Sequence, residues 1–328
     1  MFFLRQFSGR RTAAAILTSR VRLVLVTALL GLGFTTAARA GEIVIVLSSD
    51  AAPYAQAQAG LNKQFAEQKR ETRTVALPDV SKKGLDATIG TKADLVVAVG
   101  TSASVWLHTE LPPATLLVYC MVADPAAAGL AGGRVCYGVS TDIPVKAQVG
   151  LIAEALPKAR SLGILYRSNT AEGQRQLKSL QEILPKDWQI KPVALDKYGS
   201  IADAVDSLMK QHVDVVWTAA DSTVYDTASV RALLLASLRT NTPVFGYSAA
   251  FVKAGALIGI GVDSEAQGRQ AATLALGLLK GASDDTTPSV NPPDNFQIAV
   301  NLIVASQIGV QLPPNLIQRA TYTYKEER

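Results

Sequence analysis

The chain has 328 residues, of which 48% are hydrophobic and 18% are charged, so it is long and apolar enough to form two packed domains. This composition excludes a disordered chain, a collagen-like chain and a small disulfide-dense scaffold. The formal net charge is +5, but six arginines and no acidic residue lie in residues 1–40. The rest of the chain has 26 basic and 27 acidic residues. It lacks the basic surface that nucleic-acid binding needs, so no nucleic acid is expected as a partner.

The first 40 residues have the pattern of a secretory signal peptide. An arginine-rich start is followed by 12 uncharged residues, from Leu23 to Phe34, and by the small-x-small sequence Ala38-Arg39-Ala40. This stretch is too short for a membrane-spanning helix, which needs about 20 apolar residues. The pattern predicts cleavage after Ala40 and export of residues 41–328 to the periplasm. An uncleaved membrane anchor is the alternative.

Export would place the two cysteines, Cys120 and Cys136, in an oxidising compartment. A disulfide between them, worth about 3 kcal/mol, and two buried free thiols both agree with the sequence. The sequence does not give the Cα–Cα distance that a bridge requires. The only histidines, His108 and His212, have no metal-ligand spacing, so no metal site is predicted.

Residues 42–119 alternate short apolar runs with amphipathic stretches. The pattern predicts strands at 42–47, 73–77, 94–99 and 114–119, and helices at 55–70, 79–90 and 101–109. This alternation is typical of a parallel, doubly wound sheet.

After a Gly/Pro-rich passage between residues 124 and 141, the same alternation begins again. The second series has predicted strands at 161–166, 189–195, 213–219, 243–247, 256–262 and 296–301, and predicted helices at 144–156, 172–184, 200–211, 230–239, 264–280 and 302–310. Residues 282–294 are predicted as a polar linker. The sequence therefore predicts an α/β protein with two doubly wound, Rossmann-like domains joined near residue 140.

Ligands of doubly wound sheets bind at the C-terminal ends of the strands. The candidate ligand-binding residues at these ends are Ser49, Gly100, Thr101, Ser102, Met121, Asp124, Ser168, Asn169, Asp221 and Tyr247. Gly100-Thr101-Ser102 begins a predicted helix, whose unpaired N–H groups and partial positive charge suit a carboxylate. Helix capping by Thr101 or Ser102 is the alternative.

Several segments share one order and spacing: ADLVVAVGTSASVWL from residue 93, ADPAAAGL from 123, YGVS from 137, PKARSLGILYRSNTAEG from 157, VDVVWTAADSTVYD from 213, TPVFGYSAAFVKAGALIGIGVDSEAQGRQAATLALGLLKG from 242 and VNLIVASQIGVQLPPNLIQRA from 300. Together they resemble the ABC-transporter substrate-binding proteins of the tryptophan type, which have the type I periplasmic binding protein fold. The resemblance covers most of residues 43–322. Two segments depart from it: residues 136–140 replace the more usual Asn-x-Thr-Gly-Val-Ser, and the first loop, residues 48–59, is Ala/Gln-rich.

The resemblance implies two lobes that close around a ligand by hinge motion near residues 140, 248 and 263. Residues 41–140 plus about 264–290 would form the N-terminal lobe, and residues 141–263 plus about 291–328 the C-terminal lobe.

The resemblance also places the loop with Asp221 at the interdomain cleft. A carboxylate there would pair with an ammonium or hydroxyl group of the ligand, and capping of the next helix is the alternative. Asp263, at the implied hinge, is expected either to contact ligand or to cap the helix that follows. Asp124 precedes Pro125 and is expected to be mainly structural, whereas Met121 lies near the cleft. Tyr247 is the best aromatic candidate for stacking on a planar ligand.

The sequence contains none of the motifs GxSxG, HExxH, GxxxxGK[ST] or GxGxxG, so neither an enzyme nor a cofactor is predicted. The predicted function is that of a monomeric periplasmic solute-binding protein of an ABC import system. It would capture a small ligand, such as an amino acid, in the interdomain cleft and present it to a permease in the inner membrane. The alternatives are a periplasmic sensor or adaptor that presents its ligand-bound form to a signalling receptor, and a degenerate binding protein with an altered cleft.

Overall fold

The computed structural model describes residues 42–90, 93–281 and 289–326. The predicted signal peptide and its cleavage site lie outside the described residues. Within the described ranges, no helix combines the length and the apolar composition that crossing a membrane requires.

Up to residue 140, the described elements are β1 (Glu42–Leu47), α1 (Ala52–Glu67), β2 (Thr72–Ala76), α2 (Leu77–Lys83), α3 (Leu85–Thr88), β3 (Ala93–Val99), α4 (Thr101–Glu110), β4 (Leu116–Val122) and β5 (Tyr137–Ser140). From residue 141, they are α5 (Val145–Ala155), β6 (Ser161–Tyr166), α6 (Ala171–Ile183), β7 (Gln189–Ala194), a 3-10 turn (Leu195–Lys197), α7 (Ile201–Met209), β8 (Val215–Trp217), α8 (Thr227–Thr240), β9 (Val244–Gly246), α9 (Ala249–Ala254), β10 (Ile258–Val262), α10 (Ser264–Leu279), β11 (Ser289–Asn291), β12 (Phe296–Asn301), α11 (Leu302–Gln307), α12 (Pro314–Arg319) and β13 (Tyr322–Tyr324).

The first sheet has six strands, all paired in parallel, in the order β11-β5-β4-β3-β1-β2. Its central strands are apolar on both faces, as a sheet with helices on both sides requires. Ile43 and Ile45 of β1 pack in the core cluster that contains α1 and α10. Val44 and Val46, on the other face, pack in the cluster that contains α4. The uninterrupted apolar run of β1 is explained by this burial on both sides.

Helix α10 follows β10 in the chain but packs on the first sheet, against α1. Two glycines make this crossing close enough. A Cβ at Gly60 would lie 2.0 Å from the Glu265 carbonyl oxygen, and a Cβ at Gly268 would lie 1.9 Å from that of Ala57. Because both obstacles are backbone atoms, neither glycine can be replaced without separating the helices.

The second sheet has seven strands in the order β13-β12-β10-β9-β8-β6-β7. Only β12 runs antiparallel to its neighbour β10; the other pairs are parallel. Side chains of α5, α6, α11 and α12 cover one face, and side chains of α7, α8 and α9 cover the other. The predicted α/β class with two doubly wound sheets is confirmed.

The chain passes between the sheets at three places: between β5 and α5, between β10 and α10, and between β11 and β12. The first and second agree with the expected hinge segments near residues 140 and 263. Residue 248 lies between β9 and α9, which both belong to the second sheet and its packing, so the chain does not pass between the sheets at this expected hinge.

Five short helices and strands were missed in the sequence: β5, β11, β13, α9 and α12. Strand β5 contains Gly138, and glycine usually indicates a turn. Here the glycine is required because a Cβ at this position would lie 2.3 Å from the ring of Tyr119 on β4. The predicted helix over 79–90 is divided into α2 and α3 at Gly84, whose φ of 88° ends the first helix. Strand β11 lies within the segment predicted as a linker.

Both cysteines are buried and free, so of the two alternatives the structure shows the free thiols and not the disulfide. Cys120 packs on the sheet face that α1 and α10 cover, whereas Cys136 packs on the opposite face, beside Leu130. The Cys136 Sγ lies 3.4 Å from the Leu130 carbonyl oxygen. Side chains on opposite faces of one sheet cannot meet the short Cβ–Cβ distance of a bridge. Burial raises the pKa of Cys120 to about 12, which keeps this thiol protonated.

Candidate functional site

At the first sheet, Gly100 is the single residue between β3 and α4, and it is buried. Gly100 has φ 90° and ψ 160°, a conformation that only glycine adopts readily. A Cβ there would lie 2.7 Å from both the Ser48 Oγ and the ring of Tyr54. The Ser48 Oγ accepts a hydrogen bond of 2.9 Å from the Ala103 N–H, so Ser48 satisfies one donor at the start of α4. The glycine thus makes room for this loop packing.

The other predicted residues of this region are exposed. Thr101 and Ser102 lie on the surface at the start of α4, and neither side chain caps the helix. Ser49 is also exposed, and its Oγ accepts a weak 3.4 Å hydrogen bond from the Ala51 N–H. The polar side chain that reaches α4 is therefore Ser48, one residue before the predicted Ser49.

Beyond β4, Met121 and Asp124 both have a left-handed backbone, with φ of 59° and 41°. The Met121 N–H donates to the Gln267 Oε1 at 3.1 Å, and the Gln267 amide in turn donates to the Ser140 carbonyl. Gln267 lies on α10 and is buried, so it ties this helix to β4 and β5. The Met121 backbone is fixed by this contact.

Asp124 joins the two sheet-centred parts of the molecule. Its Oδ1 accepts from the Ala127 N–H at 2.9 Å, and its Oδ2 lies 2.5 Å from the Nη2 of Arg175 on α6. The same Nη2 also contacts the Glu172 carboxylate. The Asp124 N–H donates to the carboxylate of Asp142, at 3.0 Å to Oδ2. The expectation that Asp124 is mainly structural agrees with these contacts.

A cavity of about 600 Å³ lies where these groups meet the C-terminal ends of β8 and β9. Predicted candidates Asp124, Asp221 and Tyr247 line it. The remaining lining residues are Ala123, Thr141, Asp142, Ile143, Val145, Gln148, Glu172, Arg175, Gln176, Ser179, Trp217, Ala219, Ala220, Ser222, Thr223 and Ile260. Its size is in the range of small-molecule sites.

Asp221 is the buried carboxylate of this cavity, with only 6% of its surface exposed. Its Oδ1 accepts from the backbone N–H and the hydroxyl of Thr223, at 2.9 and 2.7 Å. Its Oδ2 is buried and has no hydrogen-bond partner within the described chain. Asp221 does not cap the next helix, because Asp226 caps α8. An unsatisfied buried carboxylate oxygen is costly, and a donor from a ligand would offset that cost.

Two aromatic residues, Tyr247 and the buried Trp217, are among the lining residues of the cavity. Tyr247 packs against Tyr225 and Phe251, with ring centroids 6.1 and 5.1 Å apart. Burial raises the pKa values of Tyr247 and Tyr225, and the Asp221 charge adds to the rise at Tyr225, so both phenols stay neutral. Trp217 is fixed by a 2.8 Å hydrogen bond from its Nε1 to the Gln148 Oε1.

Asp142 is exposed overall, but its carboxyl group lies against protein atoms and other acids. Loss of solvent raises the pKa of this group, the Asp124 N–H partly opposes the rise, and the carboxylates of Asp124 and Glu172 add to it. The cavity rim therefore concentrates negative charge.

The remaining candidates do not line the cavity. Ser168 donates from its N–H and its hydroxyl to the Asp196 carboxylate, both at 2.6 Å. Asn169 is exposed. Asp263 caps α10, since its Oδ1 accepts from the Ala266 N–H at 3.0 Å. Of its two expected roles, the structure shows the cap.

The sequence patterns missed Asp142, Gln148, Glu172 and Arg175. Two of these lie in the first turns of α6, directly after the loop that ends β6. A helix that begins at a strand end points its first side chains toward the same edge of the sheet as the strand-end residues. This rule identifies Glu172 and Arg175 without a structure. The described residues contain no group of three or more His, Cys, Asp or Glu side chains arranged to hold a metal ion.

Comparisons with known proteins agree with this picture. Residues 74–324 match the model of a family described as ABC transporter substrate binding protein. A tyrosine-binding protein of Clostridioides difficile (strain R20291) is 24% identical over 220 residues, which are 65% of this chain and 62% of that protein. The matched region thus spans about three fifths of the relative's length.

Solved structures of low identity share the fold. A ligand-free, open substrate-binding protein with adhesive properties from Clostridium difficile is 19% identical, with a TM-score of 0.71 over 87% of this chain and 100% of that one. The ABC domain in complex with L-Trp from Streptococcus pneumonia is 20% identical, with a TM-score of 0.54 over 86% of this chain and 99% of that one. The two-domain binding-protein fold predicted from the sequence is confirmed. The matched family and relative are binding proteins, not enzymes.

Proposed function

The chain belongs to the family of ABC transporter substrate-binding proteins, and from this premise we propose that it captures a small ligand with an ammonium group and an aromatic ring in the cavity beside Asp221. The observation that carries the proposal is the buried Asp221 Oδ2, which has no hydrogen-bond partner within the described chain. An ammonium group donates up to three hydrogen bonds and would also balance the charge.

The walls of the cavity support an aromatic body for this ligand. Tyr247 is partly exposed at the cavity and offers aromatic surface, and the buried side chains of Trp217 and Ile260 complete the apolar part of the lining. A relative is named a tyrosine-binding protein, and one structure of the same fold contains L-Trp. Aromatic amino acids are therefore the first compounds of this class to test. In an amino-acid ligand the carboxylate would have to reach the start of α4, where Thr101 and Ser102 are exposed.

Capture would involve two lobes with the bounds predicted from the sequence. The three passages between the sheets are the natural hinge segments, and the Arg175–Asp124 ion pair crosses from one side to the other. Export to the periplasm after cleavage at Ala40, and delivery of the ligand to an inner-membrane permease by a monomer, complete the proposal. N-terminal sequencing of the exported protein tests the cleavage. An uptake assay in a strain that lacks the gene separates transport from sensing, because a sensor would leave uptake unchanged.

Isothermal titration calorimetry with tyrosine, tryptophan, phenylalanine and their decarboxylated amines tests the binding site. We expect at least one compound to bind, and we expect Asp221→Asn to weaken it about 10- to 100-fold, as loss of a charged hydrogen bond predicts. The amide keeps an oxygen for Thr223 but presents an N–H₂ to the ligand. The matched control is Asp206→Asn, which removes an exposed acid on α7 outside the cavity. Binding that survives Asp221→Asn unchanged would refute the assigned site.

A further inference from the structure

The charges that line the cavity are unequal. Four carboxylates are present, from Asp124, Asp142, Glu172 and Asp221, against one guanidinium, from Arg175. Among the described lining residues, Arg175 is the only cation. With all four carboxylates ionised, the lining has a net charge of −3, because Arg175 balances only one of them.

Arg175 already forms ion pairs with two acids. The Arg175 Nη2 lies 2.5 Å from the Asp124 Oδ2 and also contacts the Glu172 carboxylate. A ligand carboxylate would have to compete with both acids for this guanidinium. It would also lie near the carboxyl group of Asp142, whose ionised form is already disfavoured by loss of solvent and, to a lesser degree, by the nearby acids Asp124 and Glu172. The cavity is thus poorly suited to hold an anion.

A cationic group, in contrast, finds several partners. The buried Asp221 Oδ2 has no partner within the described chain and lies at the cavity wall. Asp142 carries a second carboxylate on the same cavity. The face of Tyr247, which is partly exposed at the cavity, also attracts organic cations, because aromatic rings carry negative charge on their faces. The two acids come from different loops, so the cavity offers carboxylates on more than one segment of its lining.

We infer that the cavity selects ligands by net positive charge, so that an aromatic amine binds in preference to the amino acid of the same ring. This inference rests on the proposed function and narrows its ligand class from ammonium compounds in general to organic cations that lack a carboxylate. The carboxylate of an amino acid cancels the charge that the four acids recognise. It also meets no unpaired cation within the described lining.

Three compounds with the same phenol ring test the inference: tyramine (a cation), tyrosine (a zwitterion) and 3-(4-hydroxyphenyl)propionate (an anion). Calorimetry with the protein at low salt should show tyramine binding about tenfold or more tightly than tyrosine, and no binding of the propionate. Added salt should weaken tyramine more than tyrosine, since a net charge is screened. In Asp142→Asn the preference for tyramine should shrink, whereas the matched Asp206→Asn change should leave it intact.

The outcomes distinguish a failure of the charge-selection inference from a failure of the proposed function. Tyrosine binding as tightly as tyramine, or more tightly, would overturn the inference while leaving the proposed function in place, and it would point to the start of α4 as the carboxylate site. Tyramine preferred equally in Asp142→Asn and in the original protein would also overturn it, because the preference would then not come from this acid. Failure of all three compounds and of the other aromatic amines and amino acids would refute both the inference and the proposed function.

Discussion

The strand ends of the two sheets use polar residues in opposite ways. At the first sheet, Ser48 and Gly100 make contacts within the protein: the serine hydroxyl accepts a hydrogen bond from the start of α4, and the glycine lets the Tyr54 ring approach the backbone. At the second sheet, Asp221 satisfies only one of its two oxygens within the described chain. Equivalent strand-end positions of the two sheets therefore differ in whether they leave a hydrogen-bonding atom without a partner within the described chain.

This difference teaches that position at a strand end does not determine whether a polar group is buried, exposed or satisfied by its own chain. Thr101 and Ser102 were predicted from position and helix electrostatics, yet both are exposed and away from the cavity. Asp221 has the same topological position but is buried. A buried polar atom without a partner costs free energy unless something pairs with it, and of these residues Asp221 is the one with such an atom.

The largest effect is expected for Gly100→Ala, which tests the structural role of the first region. The methyl group must adopt a backbone conformation reserved for glycine and would lie 2.7 Å from two side-chain atoms. We expect the free energy of unfolding to fall by about 2–4 kcal/mol, measured by denaturant unfolding. The matched control is Gly132→Ala in the same part of the chain, where a Cβ meets no atom within 4 Å. Equal stability of the two variants would show that the loop does not need glycine.

A smaller effect is expected for Arg175→Met, which acts on the second region. The change leaves the carboxylates of Asp124, Glu172 and Asp142 without their shared cation. Because these side chains are partly exposed, we expect a loss of only about 0.5–1 kcal/mol in unfolding free energy, and the loss should shrink with added salt. Lys178→Met, which removes an exposed cation one turn further along α6 outside this cluster, is the control. A salt-independent loss would indicate lost packing instead of lost charge.

The sequence predicted most of the framework because both sheets are buried on both faces. Runs such as residues 43–46 and 95–99 are apolar throughout, and this pattern has few alternatives to a central parallel strand. The prediction failed where tertiary packing overrides local preference. Gly138 lies in β5 only because of the Tyr119 ring, and β11 is a three-residue strand in a polar segment. Neither requirement is visible in the local sequence.

The candidate site was predicted only in part, for a related reason. Asp221, Tyr247 and Asp124 lie at strand ends, so the topological rule found them. Arg175 and Asp142 come from a helix start and a passage between the sheets, and the contacts that matter link residues about 50 and 20 positions apart: Arg175 with Asp124, and Asp124 with Asp142. Such contacts depend on how the two sheets are placed, which the periodicity of one strand or helix does not contain.

The smallest and opposite effect is expected for Asp142→Asn, which should stabilise the protein at neutral pH. The folded state raises the pKa of this carboxyl above its unfolded value, so folding favours the protonated form. The ionised group therefore costs stability above the folded-state pKa, and this cost disappears as the pH falls below the unfolded value near 3.8. The amide removes the charge while its oxygen still accepts from the Asp124 N–H.

We expect a gain of less than about 1 kcal/mol in unfolding free energy at neutral pH, as is usual for charges near the surface. The gain should vanish in acid, where the original carboxyl is also neutral, and it should become smaller when a cationic ligand is bound, since the ligand then stabilises the carboxylate. Thermal unfolding of both proteins across this pH range measures the difference. A gain that persists unchanged in acid would show that it does not come from ionisation of Asp142, which loss of solvent and then like charges disfavour in the folded protein.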